Sequence, residues 1–139
     1  MWNNRNGQPL VIGFAGKARS GKDTAGKYLV DEYQFLRYSF AQPLKDATKI
    51  MFHLTDKQIE NKEKAAEPWG RSPRDLYQRV GTDIARAIDV NVWVKGADIF
   101  MRENPSRSIV VTDVRFSNEA FWIRSQGGIV VYLQSDTRG

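Results

Sequence analysis

Apolar residues along this chain of 139 residues follow two periodicities. Residues 10–15, 35–40, 108–112 and 129–133 are short apolar runs, and each predicts a strand. The run at 108–112 is almost continuous and β-branched, the mark of a strand covered on both faces. Between these runs the spacing changes to that of a helix. Ala25, Leu29 and Tyr33 mark a first helix. Leu44, Ala47, Ile50, Met51 and Leu54 form the expected buried side of a second, which is entered at Pro43. A short helix is expected over 55–62. Leu76, Val80, Ile84, Ala87 and Ile88 make the apolar stripe of the next, and Trp93, Ala97, Phe100 and Met101 that of another, which Pro105 stops. A last helix closes at Gly127-Gly128 before the final strand. Helices that follow each strand predict an α/β fold: one three-layer domain over 1–139 with a mainly parallel sheet. Ligands of such sheets lie at the carboxyl ends of the strands.

Between the periodic segments the polar residues carry their own signals. Residues 1–8 are polar and are expected to form a frayed arm. Residues 55–71 are charged and broken by Pro68 and Gly70, which suits either a mobile flap over a substrate or a plain connector. Ser72, Pro73 and Asp75 are an N-cap, a first-turn proline and a dipole-complementing acid, so a helix starts there. Gln78, Thr82 and Arg86 follow at intervals of four and share one face of that helix. Gly81 inside it costs about 1 kcal/mol relative to alanine, which implies that something approaches the backbone closely.

Composition narrows the classes. Hydrophobic residues at 41% and charged ones at 27% argue for a folded globular domain rather than disorder. No apolar run has the length of a membrane span, and the first residues lack a signal-peptide core, so a cytoplasmic location is the default. The absence of cysteine removes disulfides, thiolate metal sites and cysteine nucleophiles. A net charge of +5 suits a polyanionic ligand. Its scatter along the chain, with no stripe of basic and aromatic residues, points to nucleotide rather than specific nucleic acid.

The candidate chemistry centres on Gly16-Lys17-Ala18-Arg19-Ser20-Gly21-Lys22-Asp23-Thr24, which joins the first strand to the first helix. Strand, glycine-rich turn, lysine and helix are the context of a phosphate-binding loop. Gly16 and Gly21 permit the backbone angles that turn successive N–H groups into one cup. The helix adds its unpaired N–H groups and the positive end of its dipole. Lys22 sets an ammonium where β- and γ-phosphates would lie. Asp23 stands where such loops usually carry a hydroxyl, with Thr24 one residue later. Asp23 can ligate magnesium directly, ligate it through water, or cap the helix, and the sequence leaves these open. A second acidic residue, Asp113, follows the β-branched run and matches the aspartate that orients magnesium or its water beside a phosphate loop. Trp93 can stack on a base, but its helical spacing with Ala97, Phe100 and Met101 favours the core.

The loop resembles that of phage-type deoxynucleoside monophosphate kinases, and a similar Ser-Gly-Lys-Asp occurs in animal phosphomevalonate kinases. Three further stretches resemble the first family: Phe40-Ala41-Gln42-Pro43-Leu44-Lys45; Arg74 through Gln78, Gly81, Thr82 and Arg86 to Val92-Trp93-Val94; and Thr112-Asp113-Val114-Arg115-Phe116 with Asn118-Glu119-Ala120. The segment from Gln78 to Arg86 argues against the phosphomevalonate kinases. The resemblance implies a P-loop kinase fold in which the strand before Asp113 lies beside the strand ending at Ala15. It implies ATP and Mg²⁺, with the γ-phosphoryl group moved to a deoxynucleoside monophosphate. Gly16, Lys17, Ser20, Gly21, Lys22, Asp23 and Thr24 would bind the donor, and Arg19 and Arg115 would neutralise the moving group. Asp23, Thr24 and Asp113 would set the metal. Lys45, Arg74 and Arg86 would hold the acceptor phosphate, with Gln78 and Thr82 facing its sugar or base. For Lys45, the residue alone suggests only a solvated lysine.

The family usually continues past the final strand. The sheet is therefore expected to be short of its last strand and of the loop that embraces the donor base, which leaves an open edge and the prospect of a homodimer. A kinase for another small phosphorylated acceptor, or a non-catalytic nucleotide-binding module, are the competing functions.

Overall fold

The computed structural model describes residues 9–17 and 20–134. The arm expected at 1–8 and the candidate Arg19 lie outside the described residues. The chain divides into two compact units, one formed by Met1–Phe40 with Trp93–Gly139 and the other by Ala41–Val92.

The first unit is built on a sheet of four parallel strands: β1 (Val11–Ala15), β2 (Leu36–Tyr38), β3 (Ile109–Val114) and β4 (Ile129–Tyr132), in the order β2-β3-β1-β4. β3 lies beside β1, as the kinase order requires. Alternation along the strands divides the core in two. Ile12, Phe14 and Val110 face helix α1 (Lys22–Tyr33), which covers them with Ala25, Leu29, Val30 and Tyr33. Val11, Ala15, Ile109 and Val111 face the opposite side. There Ala97, Trp93, Val94, Phe100 and Met101 pack with Ala120, Trp122 and Ile123. Trp93 is thus part of the core packing. The result is three layers, with both faces of β1 and β3 buried, which is why these two strands are almost wholly apolar.

The second unit is helical, with α2 (Gln42–Met51), α3 (Asp56–Glu60) and α4 (Pro73–Gln78). Thr55 and Gln58 form a reciprocal capping box at the start of α3. Ser72 accepts from the Asp75 N–H at 3.1 Å, and Pro73 occupies the first turn of α4, as the sequence predicts. Between them the loop at 61–71 is anchored. Ala66 is buried beside Leu54 and Leu76, and Trp69 donates to the Phe52 carbonyl at 2.8 Å with its ring edge-on to that of Phe52.

Two expectations for this unit require correction. The helix from Ser72 is not uniform: α4 widens into a π-helical stretch, Arg79–Ala85, before a last turn α5 (Arg86–Ile88). The Arg86 N–H reaches back five residues to the Gly81 carbonyl. Each such turn holds more than 3.6 residues, so the apolar stripe loses phase. Leu76 is buried, but Ile84 and Ile88 are 54% and 83% exposed. On α2 the expected stripe also fails in part, since Ile50 and Met51 are exposed and Thr48 is the buried residue. Thr48 tolerates burial because its hydroxyl donates to the Leu44 carbonyl at 2.7 Å. The remaining helix, α6 (Val92–Glu103), leads back into the first unit.

Candidate phosphate-binding site

The carboxyl end of β1 opens directly into the glycine-rich loop. Gly16 adopts φ 145° and Gly21 φ 96°. A Cβ on Gly16 would fall 2.5 Å from the Leu133 carbonyl oxygen and 2.8 Å from Ser20 Oγ, so both space and angle require glycine there. Gly21 has open space around it, and its requirement is the backbone angle alone. The turn is closed by the Ser20 N–H donating to the Lys17 carbonyl at 3.2 Å. Lys22 opens α1 and folds back, its ammonium donating to the Gly16 carbonyl at 2.6 Å. The cation is thereby held over the loop. Ser20 Oγ is buried and has no hydrogen-bond partner among the described residues. A buried hydroxyl without a partner is costly. A loop lined by such a hydroxyl, a tethered ammonium and the amides that open a helix of 12 residues fits an oxyanion.

Asp23 does not cap α1. Gly21 is the N-cap, with no side-chain bond, and the Asp23 carboxylate instead accepts from Arg37 Nη2 of β2 at 2.8 Å. The capping alternative therefore falls away. Thr24 lies on the exposed surface of α1.

Asp113 sits inside β3, near its carboxyl end, rather than after it. Its two oxygens accept from Ser39 Oγ at 2.7 Å and from the Phe40 N–H at 2.9 Å. The aspartate thus ties the end of β3 to the residues that follow β2. Burial, and then the Asp113 charge, push the neighbouring Tyr38 phenol above its usual value. Magnesium takes few protein ligands and keeps several waters, so an oriented carboxylate in this setting fits it; among the described residues no cluster of three or more acids or histidines forms a cage.

The first unit contains two contributors that sequence reasoning missed. Glu119, in helix α7 (Ser117–Ser125), is buried, and Oε1 accepts from the N–H groups of Arg115 at 2.8 Å and Phe116 at 3.0 Å. It fixes the turn that carries Arg115, whose residue is exposed. An acid in the first turn of a helix, three residues after its cap, was the available signal. Arg37, a lone cation between Leu36 and Tyr38 in an otherwise apolar strand, was the other.

The remaining candidates belong to the second unit. Lys45, Gln78 and Thr82 are exposed. Arg74 is engaged in an ion pair with Glu63. Arg86 is half-buried, with Nη1 sequestered from solvent. The π-helical stretch separates Gln78, Thr82 and Arg86 from the regular spacing that the sequence implied.

Comparisons with known proteins agree with the loop. The family profile of deoxynucleotide monophosphate kinases matches residues 10–70, which include β1, the loop and α1. A protein of Acanthamoeba polyphaga mimivirus, provisionally named a deoxynucleotide monophosphate kinase, is 38% identical over 141 residues, covering 89% of this chain and 73% of that protein. Among solved structures, a provisionally described kinase from Chloroflexus aurantiacus superposes with a TM-score of 0.48 at 18% identity, over 90% of this chain and 59% of its own. The TT1252 protein of Thermus thermophilus gives 0.44 at 18% identity, over 88% and 65%. The chain therefore spans less than two thirds of these two structures, and superpositions at such scores add nothing to the strand order.

Proposed function

Because the chain belongs to the deoxynucleotide monophosphate kinase family, we propose that it transfers the γ-phosphoryl group of ATP to a deoxynucleoside monophosphate, giving two diphosphates. The observation that carries this reading is the loop itself: left-handed glycines, a buried hydroxyl without a partner and a lysine tethered across the turn. An oxygen of the acceptor phosphate forms the new bond to the γ-phosphorus while the bond to the β–γ bridging oxygen breaks and ADP leaves. No covalent enzyme intermediate is needed.

Phosphoryl transfer of this kind is catalysed by positioning and by charge stabilisation. The amides from Gly16 to Thr24, with Lys17, Ser20 and Gly21, cradle the donor phosphates. Lys22 meets the negative charge on the transferring group, and Arg19 and Arg115 share that task. Mg²⁺, when bound, bridges donor phosphate oxygens and neutralises their charge. Thr24 and Asp113 are the residues that would hold it, and Asp23 would act alongside them through its pair with Arg37. On the acceptor side Arg86 and Lys45 supply charge for the phosphate, and Gln78 and Thr82 supply hydrogen bonds for the nucleoside. Arg74 joins them only by leaving Glu63. The same reading is of a cytoplasmic enzyme with nucleotides as its partners.

Incubation with Mg·ATP and each deoxynucleoside monophosphate, followed by detection of diphosphate, tests the proposal. Lys22→Ala is expected to reduce turnover about a hundredfold or more, the scale of losing one preorganised charge at a transition state. A folded Lys22→Ala protein with unchanged turnover would overturn the mechanism, as would a folded parent protein that makes no diphosphate from any of the monophosphates.

A further inference from the structure

The flank of α1 carries a cavity that the mechanism above does not use. It has a volume of about 320 Å³ and is lined by Asp23, Thr24, Lys27 and Val30 from α1 and by Arg37 from β2. Residues 23, 27 and 30 recur at helical spacing, so the cavity follows one face of the helix for two turns, starting at the residue after Lys22. β2 is the terminal strand of the described sheet, and Arg37 reaches from it across the face that α1 covers.

The state of Arg37 is informative. Nη2 donates to Asp23 Oδ1 at 2.8 Å and to Thr112 Oγ1 at 3.3 Å. Two elements, α1 and β3, thereby fix the guanidinium plane. Nε and Nη1 have no hydrogen-bond partner among the described residues. Asp23 is already matched by Arg37, and the Lys27 ammonium is matched by Asp31 at 2.6 Å. The lining itself holds two cations and one carboxylate, an excess of positive charge with unspent N–H donors and the Thr24 hydroxyl beside them. Guanidinium donors held in a fixed plane suit phosphate oxygens. Val30 supplies one apolar wall, and the volume lies at the lower end of that of small-molecule sites.

We propose that this cavity binds a phosphomonoester through Arg37, and that its occupant is the acceptor's phosphate. The existence of the site does not depend on the kinase reading; the identity of its occupant does. A cavity that begins one residue past Lys22 presents its ligand next to the donor loop, where an acceptor oxygen must arrive. Asp23 then has a defined role in a position where related loops carry a hydroxyl. It is a positioning residue for Arg37.

The test combines kinetics with NMR of the arginine side-chain Nε–H signals, with Arg37 identified from the signal missing in Arg37→Lys. Inorganic phosphate and a deoxynucleoside monophosphate are each expected to shift the Arg37 signal, in the parent protein and equally in Lys22→Ala, where the donor loop is impaired. Arg37→Met is expected to raise the acceptor KM at least tenfold while changing the ATP KM less than twofold. Arg37→Lys, which keeps the charge beside Asp23, should fall between. It serves as the kinetic variant if Arg37→Met does not fold. An Arg37 signal that neither ligand moves, or an unchanged acceptor KM, overturns the site. A signal that phosphate moves and the monophosphate cannot compete for means that a separate phosphate ligand occupies it, which overturns the acceptor assignment. Loss of turnover with the Arg37 shifts intact would count against the kinase reading and leave the site standing.

Discussion

The two compact units handle apolar residues in opposite ways. In the first, Val110, Val111 and Ile123 have no exposed surface, and layers on both sides of the sheet share the burial. In the second, Leu54, Ala66 and Leu76 form a small cluster while Ile50, Met51, Ile84, Ile88 and Val90 remain exposed. A short helical segment has too little interior to cover all its apolar side chains. The phosphate loop grows from the end of a strand buried on both faces, and most acceptor candidates stand on the loosely packed unit. Such an arrangement gives the loop a rigid base and leaves the helices of the second unit free of the constraint of a large core.

The comparison would break first at Ile123. Its truncation to alanine removes a buried side chain from the packed side of the sheet, and a loss of about 2–5 kcal/mol is expected in urea unfolding. Ile88→Ala, on the exposed last turn of α5, should change stability by no more than about 0.5 kcal/mol. Equal losses would mean that the second unit is as tightly packed as the first. Next in size is Arg86→Ala, expected to weaken acceptor binding by about 1.5–3 kcal/mol, the scale of a hydrogen bond to a charged group. ATP affinity should hardly move. Parallel losses for both nucleotides would show that Arg86 supports the helix rather than the ligand.

Sequence reading succeeded where one period ran unbroken into one turn signal. The runs at 10–15 and 108–112 became strands with both faces covered, and Ser72-Pro73 started a helix as its chemistry requires. The loop was readable because glycine at 16 and 21 and lysine at 22 have few other uses in that spacing. The stripe from Leu76 to Ile88 was misread because periodicity assumes 3.6 residues per turn, and the π-helical stretch breaks that assumption. Arg37 and Glu119 escaped for another reason. Each acts on residues far away in sequence or on main-chain N–H groups, and neither kind of partner leaves a local pattern.

Gly81 sharpens the comparison at smaller scale. The residue is buried, and a Cβ there would lie 2.6 Å from Leu44 Cδ2, so the close approach inferred from the sequence comes from α2. Gly81→Ala gains about 1 kcal/mol of helix propensity and meets an overpacking cost of about 1–3 kcal/mol. A net loss of about 1 kcal/mol is expected. In a Leu44→Ala background the steric term disappears, and the same substitution should become stabilising. A loss that persists in that background would mean that the π-helical backbone, rather than Leu44, requires glycine.

The smallest expected effect concerns acid. Asp75 accepts from Arg71 Nη1 at 3.0 Å and from Arg79 Nε at 3.1 Å, both one helical turn away. The hydrogen bond from Arg71 is the main cause, with Arg79 adding to it against partial burial, and the carboxyl is held below its ordinary value of 3.8. A carboxyl with a depressed value in the folded chain stabilises it above its unfolded value and loses that contribution as pH falls through the folded one. Asp75→Asn should therefore lower stability slightly at neutral pH, by an amount that shrinks with added salt because the pair is exposed. Below the folded value the variant and the parent should converge. Unfolding curves taken from pH 7 down to pH 2 check the sign: a gap between the two proteins that widens on acidification would show that Asp75 acts through something other than its charge.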